Sequence, residues 1–235
     1  MEQTVKYLDQ RTHILRRPAL YIGSTDQIPR QKDLYDLKTN TDYNDIILFP
    51  EGAEQIYLEI LDNALEAVLR QKSGEIDIVI GNNDVSITNY ECVLPIELYP
   101  DSGTYIPELC FGKFNVSRHY NILGNAQHIH NGIGAKATNV FSKLFTVDIC
   151  DHKKQLKYSQ TWTDNMANCG QPLIKKYLGD VSFVRISYEM DFEMFGYQTP
   201  GGNIYPSEAL SLFAKHALDK SIRCQIPITF NGCKL

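Results

Sequence analysis

A carboxylate and an amide stand one helical turn apart in the segment EQIYLEILDNALEAV, at Glu59 and Asn63. Residues four apart face the same side of a helix, and Glu66 continues the stripe. A carboxylate in such a place can accept the proton of a water that attacks a terminal phosphate, while the amide oxygen can ligate Mg²⁺. A solvated polar face shows the same spacing, so the pair alone leaves both interpretations open.

A second candidate lies in HNGIGAKATNVFSKLF, where Gly132 and Gly134 precede a helix predicted from Ala135 to about Leu144. Glycines before a helix let backbone N–H groups approach a phosphate, and Lys136 adds a positive charge. The spacing is not that of a Walker A loop. A dinucleotide fold is disfavoured because no aliphatic strand leads into Gly132.

Metal and disulfide chemistry have weaker support. His128 and His130 stand two apart without a third ligand in register, which favours a polar loop over a metal site. The six cysteines are far apart and form no CxxC pair, so buried, reduced thiols are expected. They are Cys92, Cys110, Cys150, Cys169, Cys224 and Cys233.

The elements that must position these residues alternate between helical and strand periodicity. The patterns predict a helix from Phe49-Pro50-Glu51 through Val68, hairpins over 75–88 and 145–163, a strand over 181–188, a helix over about 205–220 and a last strand over 226–230. The polar stretch from Asp26 to Asn44 is predicted to be a loop. Mixed strands with helices covering one face predict a two-layer α/β sandwich.

Composition limits the function classes. The 235 residues are 43% hydrophobic, enough for a substantial core, and no linker divides them, so one domain is expected. A net charge of -5, from 28 acidic and 23 basic residues, argues against a surface that grips nucleic acid tightly. Neither a signal peptide nor a stretch of 18 apolar residues is present, which predicts an intracellular protein without membrane contact.

The end of the sequence carries a turn signal. Asn231-Gly232 is typical of a hairpin turn, and only three residues follow it. The sequence therefore predicts that the chain is cut inside a longer polypeptide.

Five segments in order resemble a known family: HILRRPALYIGS, EILDNALEA, GTYIPELCFGKFNVSRHY, NGIGAKATNVFSKLF and QTWTDNM. Together they are similar to the N-terminal ATPase domain of eukaryotic-type (type IIA) DNA topoisomerases, in the GHKL ATPase superfamily. The resemblance spans nearly the whole chain. It implies a GHKL (Bergerat) two-layer sandwich with a mixed, mostly antiparallel sheet and helices on one face.

The resemblance also implies a function. Residues 1–235 would be the ATPase domain, or N-gate, ending before the transducer domain, with ATP and Mg²⁺ as ligands. The full-length enzyme would be a homodimer that acts on double-stranded DNA through other domains, whereas this domain alone would be a monomer. Divergence from the cellular members points to a viral member, which would act in the host cytoplasm.

Site residues follow from the resemblance position by position. Glu59 matches the general base, Asn63 the Mg²⁺ ligand, and Asn89 the residue that pairs with adenine. Phe111 lies near the nucleoside, Ser117 meets the ribose and phosphate end, and Ser182 helps to hold the adenine. The lid that wraps the phosphates is matched by Asn131, Gly132, Ile133, Gly134, Ala135 and Lys136.

Three departures from the family pattern bear on nucleotide binding. The adenine loop, Asn89 to Pro95, has no glycine, so its backbone is expected to differ from the family's. Ala67 replaces a phosphate-side asparagine, and His130 stands in place of an arginine. A degenerate nucleotide-binding or dimerisation module without turnover therefore stays as the alternative function.

Overall fold

The computed structural model describes residues 8–114, 133–197 and 204–235. The helices of these ranges are α1 (Gln10–Arg16), α2 (Glu51–Gln71), α3 (Ile106–Gly112), α4 (Gly134–Val140) and α5 (Ser207–Cys224), with 3₁₀ turns at Pro18–Leu20 and Phe192–Phe195. The strands are β1 (Arg30–Asp36), β2 (Thr41–Ile47), β3 (Ile76–Ile80), β4 (Asp84–Tyr90), β5 (Ser142–Asp151), β6 (Leu156–Thr163), β7 (Asn168–Cys169), β8 (Leu173–Lys176), β9 (Phe183–Met190), β10 (Ile228–Phe230) and β11 (Cys233–Lys234).

One sheet organises the described residues. Its strand order is β11-β10-β3-β4-β9-β5-β6-β7, and β8 also pairs with β6. The β10–β3 pair is parallel, whereas the other pairs of this sheet are antiparallel. The predicted two-layer fold with a mixed, mostly antiparallel sheet is confirmed.

One face of the sheet is apolar and buried. Along β9, burial alternates residue by residue, and the buried positions are Val184, Ile186, Tyr188 and Met190. Alternation with a period of two is what a strand shows when only one of its faces meets the core. The helix α2 packs on this face across β4, where it buries Ile60 and Ala64.

The long helix α2 forms where the sequence predicts it. Pro50, with φ −61°, precedes its first residue, Glu51 supplies an acid in the first turn, and Lys72 ends it in a left-handed conformation with φ 57°. Proline and acids favour helix starts because they suit the unpaired N–H groups there. Tyr57 stacks on Phe213 of α5 with 4.1 Å between ring centroids, and this contact packs α2 against α5.

The polar stretch before α2 is a hairpin, so the predicted loop from Asp26 to Asn44 is wrong. β1 and β2 pair in antiparallel register from Arg30 opposite Ile47 to Asp36 opposite Thr41. β1 buries Leu34 at 1% exposure, yet six of the seven residues of β2 are exposed. A strand with one buried position lacks the alternation that reveals strands in a sequence.

The helix after Gly134 is shorter than predicted. It ends at Val140, and β5 begins at Ser142, so the predicted extension to Leu144 is wrong. The apolar residues at Val140, Phe141 and Phe145 are all buried, and their spacing fits a helix as well as a helix followed by a strand.

The last hairpin is confirmed, since β10 and β11 pair antiparallel across Asn231-Gly232. All six cysteines are free thiols. No helix within the described ranges is long and apolar enough to cross a membrane. The same ranges hold no group of three or more residues suited to bind a metal ion.

Candidate functional site

A narrow cleft opens between α2 and the buried face of β4 and β9. Most of its walls are aliphatic, with Asn63 and Asn89 as the amides. The lining residues are Ile60, Asn63, Ala64, Ala67, Ile87, Asn89, Cys92, Val93, Leu94, Phe111, Val184 and Ile186.

Asn89 carries an unsatisfied polar group into this cleft. The side chain is 5% exposed, and its Nδ2 atom has no hydrogen-bond partner within the described residues. Burial raises the pKa of the nearby Cys92 thiol, and the Asn89 amide offsets part of that rise, but a thiol is only a weak acceptor. A buried donor without a partner costs about 1–3 kcal/mol, so an acceptor on a bound ligand would be stabilised here.

The loop after β4 keeps one left-handed residue although it lacks glycine. Glu91 adopts φ 62°, and its N–H donates to the Ser182 carbonyl at 2.8 Å. The exposed Glu91 bears the conformational cost of this left-handed backbone. The expected difference of the loop from the family's stays a prediction.

Glu59 is not part of the cleft lining, although the next residue, Ile60, is, and its carboxylate is held between two contacts. Gln55, one turn earlier on α2, donates from Nε2 to Glu59 Oε1 at 2.7 Å. On the other side, a Cβ atom placed on Gly134 would overlap Glu59 Oε2. The carboxylate is therefore fixed by its own helix and lies against the first residue of α4.

Asn63 lies one turn after Glu59 and is half-buried in the cleft wall. Ala67 follows on the same wall, so α2 presents its residues to the cleft at intervals of four, as the sequence predicts. The methyl group of Ala67 makes this part of the wall apolar.

The helix α4 is anchored to α2 beside the cleft. Thr138 Oγ1 donates to the Ile56 carbonyl at 2.9 Å, and Ala135 is buried. Ile133 occupies the position that precedes the helix, and its carbonyl accepts from the Ala137 N–H at 2.6 Å. These contacts fix the start of α4 next to Glu59.

Lys136 differs from an exposed phosphate-binding lysine. Its side chain is 1% exposed, and burial lowers its pKa to about 8. Three further residues that the sequence assigns to the site, Ser117, Asn131 and Gly132, lie outside the described residues. The phosphate end of the site is therefore described only from Ile133 onward.

Phe111 lies on the cleft wall and its position is fixed from two sides. Its carbonyl accepts from Asn139 Nδ2 of α4 at 3.1 Å. The next residue, Gly112, packs on Trp162 so closely that an added Cβ would lie 2.7 Å from the indole ring. Residues distant in sequence, Asn139 of α4 and Trp162 of β6, thus hold the end of α3 that carries Phe111.

Ser182 is placed outside the lining of the cleft. Its Oγ accepts from the His152 N–H at 3.1 Å and lies 2.7 Å from His152 Nδ1. The residues of β9 that reach the cleft are Val184 and Ile186. The role of Ser182 toward adenine stays a prediction.

Gln55, Cys92 and Val184 belong to the site without having been singled out in the sequence. Gln55 had a signal, because it stands four residues before Glu59 on the same stripe. Cys92 had a signal in its position inside the loop from Asn89 to Pro95, whereas Val184 had none, since a buried valine in a strand is ordinarily a core residue.

The arrangement has two chemically different ends. The apolar walls around Asn89 suit a flat ring that offers hydrogen-bonding groups at its edge. The Glu59 and Asn63 end offers a proton acceptor beside a neutral oxygen ligand.

No family model matches the chain. The chain is 33% identical over 205 residues to a Candida glabrata protein named DNA topoisomerase 2, which covers 84% of this chain and 14% of that protein. It is 29% identical over 248 residues to the DNA topoisomerase 2 of Plasmodium falciparum, covering 100% of this chain and 17% of the relative. The chain thus spans a small part of the curated relatives it matches.

Solved structures show the same fold. The ATPase region of Saccharomyces cerevisiae topoisomerase II superposes with a TM-score of 0.90 at 29% identity, over 98% of this chain and 61% of that one. The ATPase and transducer domains of DNA topoisomerase II from Balamuthia mandrillaris give 0.89 at 25% identity, over 100% and 61%. The sheet, its helices and the cleft define a domain of the GHKL ATPase class. In fold and sequence, the chain matches the ATPase region of eukaryotic type II DNA topoisomerases.

Proposed function

We propose that the chain is the ATP-binding and ATP-hydrolysing N-gate of a type II DNA topoisomerase, in which ATP binding closes a clamp and drives DNA strand passage. One observation carries the proposal. The Glu59 carboxylate, held by Gln55, stands one helical turn before Asn63, and Asn63 lines the same cleft as Asn89 with its unsatisfied amide.

The roles of the residues follow from their places. Asn89 would pair with the adenine edge, Phe111 would flank the nucleoside, and Ser182 would support the adenine from behind the cleft. Glu59 would accept the proton of the attacking water, since Gln55 orients one carboxylate oxygen and leaves the other toward α4. Asn63 would ligate Mg²⁺, which supplies charge neutralisation at the phosphates.

The phosphate-wrapping lid is proposed to combine Ser117, Asn131 and Gly132 with the start of α4. Ile133, Gly134 and Ala135 would present backbone N–H groups to the phosphates. Lys136 would contribute from a buried position, and its lowered pKa means that a bound anion would favour its charged form.

The partners and source are also proposals. The chain would be the ATPase domain of a longer polypeptide that continues into a transducer domain, forms a homodimer and acts on double-stranded DNA through other domains. An intracellular setting is expected. A viral source, with an enzyme similar to that of African swine fever virus, is proposed from the divergence of the sequence from the cellular members. Recovery of the coding sequence from a viral genome tests that source.

The function is tested by two substitutions in the extended enzyme. Glu59→Gln is expected to abolish turnover while leaving binding of a non-hydrolysable ATP analogue with Mg²⁺ intact, because the amide keeps the shape but accepts no proton. The loss of a general base typically costs about 10² to 10⁴ in rate. Asn63→Ala is expected to weaken the binding itself. Both are measured by turnover assays and calorimetry.

Glu66→Gln is the matched control, because Glu66 is exposed one turn further along the polar stripe and pairs with Arg70. It should leave both readouts unchanged. Wild-type hydrolysis by the Glu59→Gln variant would refute the assignment. Binding without turnover in the wild type would instead favour the degenerate binding module, against which the retained Glu59 and Asn63 speak.

A further inference from the structure

Cys92 is a buried core residue that also contributes to the wall of the cleft, and its Sγ lies 3.9 Å from the Ser73 carbonyl oxygen. It lines the same cleft as Asn89 and Phe111, and it is 3% exposed overall. Glu91, the residue before it, has a left-handed backbone, and Leu94 of the same loop also lines the cleft. The sulfur is free of any disulfide.

A second, independent feature indicates that a ligand belongs beside this thiol. The Asn89 side chain is more than nine-tenths buried, lines the cleft and keeps Nδ2 without a hydrogen-bond partner among the described residues. Buried amide groups are nearly always satisfied, so a ligand acceptor is the natural complement of this one. Such a ligand would lie within reach of the neighbouring Cys92.

The apolar residues around Asn89 and Cys92 indicate which shape of ligand would fit beside them. Ile87, Val184 and Ile186 form one apolar side, and Ile60 and Ala64 of α2 form the other. A helix and a sheet that face each other across an apolar gap suit a flat ring.

We propose that Cys92 is a covalent modification site, alkylated selectively by electrophiles that carry a flat heteroaromatic ring such as adenine. The inference rests on the proposed function for the choice of adenine, whereas the thiol, the amide and the apolar walls are features of the chain itself. No role in turnover is assigned to Cys92.

Selectivity follows from the burial of the thiol. Burial raises the pKa of Cys92, and the Asn89 amide offsets only part of that. The thiolate is the reactive form, so a small reagent that meets Cys92 by chance reacts slowly. A reagent that binds in the cleft first holds its electrophile beside the sulfur, which raises the effective concentration and the rate.

The step for a chloroacetamide is a simple displacement. The Cys92 sulfur attacks the CH₂ carbon, a C–S bond forms, and the C–Cl bond breaks. Chloride leaves with the bonding electron pair, and the thiol proton passes to the buffer. No oxidant, reductant or further reactant is needed.

The experiment compares adenine-linked chloroacetamide with plain chloroacetamide on the 235-residue protein, with labelled sites assigned by peptide mass mapping. The adenine reagent is expected to label Cys92 at least tenfold faster than the plain reagent. Cys224 is half-buried and is not part of the cleft lining, so both reagents should label it at similar rates. The Cys92→Ser variant should lose the fast label, while Cys224→Ser should keep it.

Equal rates of the two reagents at Cys92 would overturn the inference, and so would an unlabelled Cys92 in protein whose exposed Cys169 and Cys233 are fully labelled. Calorimetry with a non-hydrolysable ATP analogue separates this failure from failure of the proposed function. If the analogue binds but Cys92 is not labelled selectively, only the inference about Cys92 is refuted. Selective labelling that the analogue with Mg²⁺ does not slow supports the inference and counts against the proposed function.

Discussion

The Glu59 carboxylate lies where a Cβ atom on residue 134 would be, so its position requires glycine there. The carboxylate lies against Gly134 at the start of α4 while Gln55 holds its other oxygen. The fixed position, more than the residue type, is what separates a general base from an ordinary surface glutamate.

Gly134→Ala is therefore expected to move the carboxylate without unfolding the domain. The end of a glutamate side chain shifts cheaply, so the melting temperature should change little, but a misplacement near 1 Å can cost about 10² in rate. Turnover of the extended enzyme and thermal melting of the domain are the two measurements. Unchanged turnover would show that the position of Glu59 is not critical.

The residue pattern predicts Glu59 and Asn63 because helical spacing is a local property of the sequence. It does not predict that Gln55 donates a hydrogen bond to Glu59, since a glutamine on a polar stripe is ordinarily expected to be solvated. Nor does it place Ser182, whose hydroxyl pairs with His152 across the ends of β5 and β9. Contacts between distant elements are decided by packing, which local spacing does not encode.

At the scale of elements, α3 is fixed by its close approach to β6. Gly112 ends α3 directly on the ring of Trp162, which is 1% exposed and has no room to shift. Phe111, the preceding residue, forms part of the cleft wall. The position of this wall thus depends on the absence of a side chain at residue 112.

Gly112→Ala is expected to destabilise the domain and weaken nucleotide binding together. Overpacking a close-packed site costs about 1–3 kcal/mol, and relief by movement of α3 would displace Phe111. Urea unfolding and calorimetry with the ATP analogue measure the two effects. Gly134→Ala is the matched glycine variant, for which stability should be nearly retained. A Gly112→Ala protein of wild-type stability would contradict the packing argument.

The β1–β2 hairpin is tied to the helices by one buried acid. Glu54 of α2 accepts from Arg30 and Lys32 of the hairpin at 2.8 and 2.9 Å, and it lies 2.8 Å from His216 of α5. Burial would raise the pKa of Glu54, but hydrogen bonds from His216 and Lys32 and their charges lower it to about 2.

A lowered pKa in the folded state contributes stability above the unfolded value. The contribution of Glu54 should therefore be complete above about pH 4.5 and be lost as the pH falls toward about 2. It amounts to about 3 kcal/mol. Glu54→Gln should cost about 2–4 kcal/mol at neutral pH and remove this part of the pH dependence, as measured by urea unfolding between pH 7 and 2.5.

Asp62→Asn serves as the control, because Asp62 pairs with Lys220 while 51% of its side chain is exposed. Exposed pairs of this kind contribute about 0–1 kcal/mol. Equal losses for the two variants would refute the role of Glu54 as the anchor of the hairpin.

The same hairpin shows where prediction of elements from sequence fails. α2 and the hairpins of β3–β4 and β5–β6 have strong periodicity and are found where predicted. β1 and β2 pair with each other and bury little beyond Leu34 and Ile47. Ion pairs with Glu54, which no periodic pattern reveals, stabilise them on the helices.

At the scale of the whole molecule, a net charge of -5 fits a gate that need not hold duplex DNA tightly. The solved relatives extend further, since this chain covers 61% of each, and one of them includes a transducer domain. We expect the proposed transducer domain of the full-length protein to supply a cation that stabilises the developing charge on the γ-phosphate, as the resemblance implies.

The 235-residue chain is therefore predicted to hydrolyse ATP barely and to remain a monomer with or without nucleotide. Loss of a charge-stabilising donor typically costs about 10² to 10³ in rate. Stable pairing requires about 1,200–2,000 Å² of buried surface, which is expected to come largely from the transducer domain. Turnover and light scattering should be compared between this chain and one extended through that domain. Equal turnover, or an ATP-dependent dimer of the short chain, would show that these residues close the gate by themselves.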